Sequence, residues 1–440
     1  MKSTPLVLVL ILALAPPSLA AASPSTDLPR EVALTRDLIE DAGIRFDDEG
    51  LRLGRERAAR LAAAAEAAGD VRVARDAHYL IALAVYAQVY TGHNDFATLE
   101  RIAKEGVLHA DRAAALDDKF ADAQAMAGAD RFAAFMYAGR APEMRTAALA
   151  KLQQAMKIDP TSTPGVFFDA LGKSIDPAGP ARPAGVAAYG DLVKKSDARL
   201  SAGEPVLPGF WDVEVRAWYA IVRLQQLQPE APAIRADLEK LLALRPDSAM
   251  ARELMLRVEH RSWAPAAAVT GLAWRPLGSD PVGDGKVPGA PELRSLDLAR
   301  GADRVWFRLN YEQALPPSFG ANVVIDRDGD PSGDAKWWGG ASSFRYDRLV
   351  TAWIVREGDG YFGVAGVSDS LGASTQRMMQ LGTDVLLRLG DDHKSLVIGV
   401  PASVLDLATG AKVLAAGGTN LIWNDNLTAE GGAGIEIPAQ

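Results

Sequence analysis

Asp326, Asp328, Asp330 and Asp334 fall within nine positions of the stretch Asn322 to Gly340, directly before Trp337 and Trp338. Carboxylates that close repel one another, and a hard cation with oxygen ligands is the usual compensation. The expected ion is Ca²⁺, held by Asp326, Asp328 and Asp330, with Asp334 or a backbone carbonyl completing the shell. The loop is not an EF-hand. Its first, third and fifth positions are Asp, but Pro331 replaces the required glycine and Trp337 stands where the bidentate Glu belongs. A solvated Asp-Gly turn is the alternative reading.

The two tryptophans suit either a core plug or a platform on which a sugar ring stacks. Alternation in an extended segment sends Trp337 and Trp338 to opposite faces, so at most one is expected to be exposed. Asn322, Asn424 and Asn426 are the polar neighbours expected to orient ligand hydroxyls.

A loop of this kind needs strands to hold it. From residue 265 to 440 the chain alternates short apolar runs with Gly, Pro, Asn and Asp. Strands are expected at Val269–Trp274, Val305–Tyr311, Ala321–Asp326, Leu349–Val355, Tyr361–Val367, Val385–Leu389, Leu396–Val400 and Asn420–Trp423. So many short strands predict an antiparallel β-sandwich.

Residues 30 to 262 have a different texture. Ala74, Ala77, Leu80, Ile81, Ala84, Val85 and Val89 form one apolar stripe at helical spacing, and similar stripes recur. A helix-ending phrase recurs at Ala115–Phe120, Lys157–Ser162 and Leu244–Ser248, at separations of about 42 and about 86 residues, near one and two copies of one period. The fold expected is therefore multidomain, an α-helical repeat domain followed by a β-sandwich. The repeat offers a concave groove for a peptide or protein partner, or serves as a plain scaffold.

The 440 residues carry a formal net charge of −9 and no cysteine. The acidic balance and the lack of a basic block argue against nucleic acid as a partner. Disulfides, thiolate metal sites and a Cys nucleophile are excluded. Lys2, the apolar run Leu6 to Ala15 and the small residues Ser18 and Ala20 have the order of a signal peptide over residues 1–20. Cleavage there would leave a periplasmic or extracellular protein with no integral membrane segment and no lipobox.

The phrases Leu116-Asp117-Asp118-Lys119-Phe120-Ala121-Asp122-Ala123 and Ile158-Asp159-Pro160-Thr161-Ser162-Thr163-Pro164 resemble the ends of tetratricopeptide repeats, although the period exceeds the standard one. In the β half, Asp303–Leu309, Asn322–Asp330 with Ser332-Gly333, Tyr346–Val350, Ser395–Pro401 and Asn424-Asp425-Asn426 resemble, in their order, family 9 carbohydrate-binding modules and the related DOMON-like sandwich. That resemblance implies a β-sandwich, a bound Ca²⁺ and glycan recognition by aromatic residues. Haem, held by some DOMON-like relatives, is not expected, since this half offers only His393, Met378 and Met379.

No metalloprotease helix, nucleophile elbow or phosphate-cradling loop is visible, so no catalytic residue is assigned. His78, His93 and His109 are too far apart to share adjacent helical turns. Three readings follow. The first is a noncatalytic binder of a glycan or cell-envelope polymer. The second is a protein-interaction scaffold, favoured if the helical groove is exposed and aromatic while both tryptophans are buried. The third is a glycan-active hydrolase, favoured if a deep cleft between the halves holds two carboxylates about 5 to 10 Å apart.

Overall fold

A computed structural model describes residues 27–91, 96–137, 142–174, 180–201, 208–224, 231–259, 262–285, 290–332, 334–337, 344–357, 360–369, 384–419, 422–429 and 432–438. The expected signal peptide, His93 and Trp338 lie outside them.

The first half is helical: α1 (Leu28–Arg45), α2 (Asp48–Ala68), α3 (Val71–Thr91), α4 (Phe96–Leu116), α5 (Ala121–Tyr137), α6 (Pro142–Ile158), α7 (Thr163–Ser174), α8 (Arg182–Ser201), α9 (Phe210–Leu224), α10 (Ala231–Leu244) and α11 (Ala249–Glu259). The recurring phrases are the turns between helices. Asp117 Oδ1 accepts from the Lys119 amide and Asp159 Oδ1 from the Thr161 amide, closing Asx turns after α4 and α6. Ser162 and Ser248 then cap α7 and α11 by accepting from Gly165 and Ala251.

The array does not stay open. The odd-numbered helices pack in succession, and α1 meets α9 and α11, so the winding closes after one turn. Gly43 on α1 makes the closure feasible, because a Cβ there would lie 2.8 Å from the Phe210 ring on α9. Arg245, buried after α10, ties the seam by donating to Asp41 and to the Pro208 carbonyl. Closure removes the long concave surface of an open repeat, and the interior is filled by Tyr86, Phe167, Phe168 and Phe210 around Trp211.

The second half is two antiparallel sheets. One has the order β1 (Arg275–Ser279), β2 (Leu293–Arg300), β3 (Arg304–Tyr311), β10 (Ser395–Pro401), β9 (Leu386–Leu389). The other runs β12 (Ile422–Leu427), β11 (Lys412–Thr419), β4 (Ser318–Asp326), β7 (Arg348–Glu357), β8 (Gly360–Asp369), and the short strands β5 (Ala335–Lys336) and β6 (Arg345–Tyr346) pair with each other. Leu296, Phe307 and Ile398 of the first meet Val323, Val350 and Val413 of the second in one core. Ser262 to Ala264 enters along β9, where the Leu387 amide donates to the Ser262 carbonyl and the Ala264 amide to the Leu387 carbonyl.

One strand expectation needs correction. Val269–Trp274 is a turn, with Gly271 at φ 80°, and its apolar residues cover Trp306 and Val397 on the outer face of the first sheet. β1, β2 and β11 fall outside the expected strands: β1 carries Pro276 and Gly278, β2 is Leu-rich and β11 Ala/Gly-rich, so none shows the β-branched alternation that marks a strand.

Candidate functional site

β4 delivers the acidic loop, and the loop supports itself. Asp326 Oδ1 accepts from the Gly329 amide at 2.7 Å, Asp328 Oδ1 from Asp330 at 3.0 Å, and Asp330 Oδ1 from Ser332 at 2.9 Å. Arg327 supplies positive charge, binding Asp347 at 3.0 Å and Asp406 at 2.8 Å and lying 3.7 Å from Asp328. Asp334 keeps a buried Oδ2 without a partner; burial and then the charges of Asp347, Asp326, Asp328 and Asp330 push its carboxyl up to about 6. The four carboxylates thus share one field, but one oxygen on each of Asp326, Asp328 and Asp330 is engaged by backbone.

Trp337 is a core plug. It is 1% exposed, packs on Val324, Leu349, Leu414, Phe344 and Tyr346 over the outer face of the second sheet, and donates from Nε1 to Asn426 Oδ1 at 2.9 Å. Asn322 is fully buried on the same face, with neither amide atom bonded. Neither residue offers a surface to a ligand, which corrects the expectation of an open platform at Trp337 and Asn322. The period-2 pattern places their side chains on the face opposite the inter-sheet core, but only the segment folding back across that face decides that it is covered. Asn424 lies on β12, its side chain outside the description.

Carboxylates converge instead at one end of the sandwich. Ligand oxygens of Asp280, Asp284 and Asp425 all lie within 4.8 Å of one another, the one such group of three found among the described residues. Asp280 follows β1, and Asp425 sits on β12 beside Asn426 but turned to the opposite, inner face. Asp425 Oδ2 accepts from the Leu293 amide at 2.8 Å and Oδ1 from the Asn426 amide at 2.9 Å. Burial, then the charges of Asp425 and Asp284, push the Asp280 carboxyl up to about 7. These residues come from distant parts of the chain, and the Asn424-Asp425-Asn426 motif was the one local signal.

The helical half contains a cleft of about 540 Å³. It opens where the start of α5, the turn before α7 and the start of α9 face α1 and α8. Its lining includes Glu40, Asp122, Asp159, Lys195, Arg199 and Trp211. Glu40 Oε2 accepts from the Phe210 amide at 3.2 Å, and Asp122 from the Ser162 hydroxyl at 2.6 Å. Burial raises both carboxyls above the ordinary range. Lys195 donates to the Thr161 carbonyl, and Arg199 pairs with Asp212. Trp211 is half-buried, with Nε1 directed to the Tyr79 hydroxyl. Sequence spacing could not show this site, since its residues span α1 to α9.

The helices also join His78 and His109, whose Nδ1 atoms are 2.8 Å apart on α3 and α4. Burial, then the neighbouring His78, lowers His109 to about 4, and Glu66 contacts His78 from the other side. Separation in sequence hid the pair, because adjacent antiparallel helices bring distant positions together.

No protein-family model matches this chain, and a comparison with curated proteins returns no match. No helix among the described residues is long and apolar enough to cross a membrane.

Proposed function

We propose that this chain is a noncatalytic binding protein of the cell envelope or extracellular space that takes a saccharide-sized, polyhydroxylated ligand in the cleft of its helical half. The observation that carries this reading is the cleft itself: carboxylates of Glu40, Asp122 and Asp159 beside a half-buried Trp211. Carboxylate oxygens accept from hydroxyls, and an indole ring packs against the C–H groups of a sugar. The volume falls in the range of roughly 300 to 1,000 Å³ typical of small-ligand sites. A long peptide groove fits less well, because the helical winding closes on itself. On this reading the helices are a divergent hairpin repeat and the sheets a family 9-like sandwich.

The test is a glycan array with the full chain, followed by titration of wild type and Asp122→Asn. Replacing that acceptor should weaken binding about tenfold, equivalent to about 1.4 kcal/mol. If no saccharide binds and a cationic peptide does, the interaction-scaffold reading takes its place. Release of reducing ends from a bound glycan would instead establish the hydrolase, with Glu40 and Asp122 as its first candidates.

A further inference from the structure

The cluster at the end of the sandwich differs from the Asp326 loop in how its charge is balanced. Arg327 sets one positive charge beside the loop, 3.7 Å from Asp328, whereas among the described residues no Lys or Arg pairs with Asp280, Asp284, Asp425 or the adjacent Glu292. Glu292 adds a fourth carboxylate, holding the turn through the Gly283 amide at 2.7 Å. Among the described residues these carboxylates are offset only by backbone amides, those of Leu293 and Asn426 on Asp425 and that of Gly283 on Glu292. Such an arrangement favours a cation strongly.

A second observation points to a ligand. Tyr311 is 2% exposed and its hydroxyl has no hydrogen-bond partner. The ring lies in the core, where Tyr311 pairs with Leu293, the residue whose amide holds Asp425. Its hydroxyl lies 3.4 Å from where a Cβ on Gly417 would stand, and Gly417 is the cross-strand partner of Asp425. An orphaned buried hydroxyl therefore points toward the acidic cluster. A buried O–H without an acceptor loses its hydrogen bond to water and gains none in return, so a polar occupant is expected beside it.

We propose that Asp280, Asp284 and Asp425 form a Ca²⁺ site that fastens the β1–β2 connection of one sheet to β12 of the other. Two ligands on one Ca²⁺ at about 2.4 Å each can be at most about 4.8 Å apart, the span over which these oxygens gather. All donors are oxygens, which suits a hard cation. Supply from a loop and a strand rather than a rigid octahedron suits Ca²⁺ better than Mg²⁺. A water in the ion's shell gives the Tyr311 hydroxyl its acceptor. β1 and β12 are the edge strands of their sheets on this side, so the ion closes the sandwich where no backbone ladder does.

The test uses the full chain stripped with EDTA, with Ca²⁺ or Mg²⁺ added back during thermal unfolding and Tb³⁺ as a luminescent probe. Ca²⁺ at a hundredfold excess over its dissociation constant should raise the β-half transition by about 5 to 10 °C. Asp280→Asn should abolish that shift while raising the ion-free transition, because it removes carboxylate repulsion. Asp284→Ala, at an exposed position where folding is undisturbed, should weaken Ca²⁺ binding at least tenfold, and Tyr311→Phe should lower sensitised Tb³⁺ emission. The double variant Asp328→Asn, Asp330→Asn should keep the full shift. No Ca²⁺ effect on the wild type overturns the proposal. So does a shift that survives Asp280→Asn and Asp284→Ala, or one lost in the Asp328, Asp330 variant, which would place the ion in that loop.

Discussion

The Trp337 indole donates to the Asn426 side-chain oxygen at 2.9 Å, joining two residues 89 positions apart and locking the cover segment onto the second sheet. Both residues were candidates for touching a sugar, and they touch each other. A buried indole N–H needs an acceptor, and Asn426 projects from β12 on the face that Trp337 covers.

Trp337→Ala should therefore act on stability. Removing a buried indole typically costs about 3 to 5 kcal/mol. Asn426→Ala, which leaves the N–H unpaired, should cost about 1 to 3 kcal/mol. Urea unfolding of both variants measures this. Unchanged midpoints would mean that the ring is not part of the core.

Glu214 on α9 is buried, accepts from the Trp218 side chain, and is raised by burial from 4.5 to about 7. The folded state then holds a proton that the unfolded state releases, so the contribution of Glu214 to stability is full below about pH 4.5 and is lost as pH rises to about 7. At pH 8 the penalty is about 3 kcal/mol. Glu214→Gln should raise the melting temperature at pH 8 relative to wild type and leave it nearly unchanged at pH 4.5. Equal effects at both values would show that Glu214 does not titrate with folding.

Gly43→Ala should destabilise the helical half by about 1 to 3 kcal/mol, since the new Cβ meets the Phe210 ring where α1 closes on α9. Phe210→Leu should relieve part of that cost, so the double variant will be more stable than additivity predicts. Strict additivity, read from urea midpoints, would argue against the seam contact.

The β half should be separable only if its entry strand is kept. A fragment from residue 262 retains the pairing of Ser262 and Ala264 with Leu387, and one from residue 270 loses it together with part of the cover over Trp306. The shorter fragment should melt several degrees lower by calorimetry. Equal melting temperatures would make the entry segment dispensable.

Much of the architecture is written locally. The stripe on α3, the Asx turns at Asp117 and Asp159, and the alternation through β4, β7 and β10 follow from nearest-neighbour sterics and from side-chain periods of 3.6 and 2. These decide helix followed by sheet, and they could be read without any contact between distant residues.

What each face meets is decided only in three dimensions. Alternation puts Val324 and Asn322 on one side of β4, but Trp337, Phe344 and Tyr346 packing on that side make it interior and turn Trp337 from a platform into a plug. The helical phrases predict hairpins, yet the small relative rotation between successive hairpins, summed over the array, brings α1 onto α9 and leaves a cleft in place of a groove. The acidic loop of consecutive Asp residues stood out because its charges are adjacent in sequence. Asp280 and Asp425 meet only because two sheet edges close against each other, and long-range strand pairing leaves no mark in local spacing.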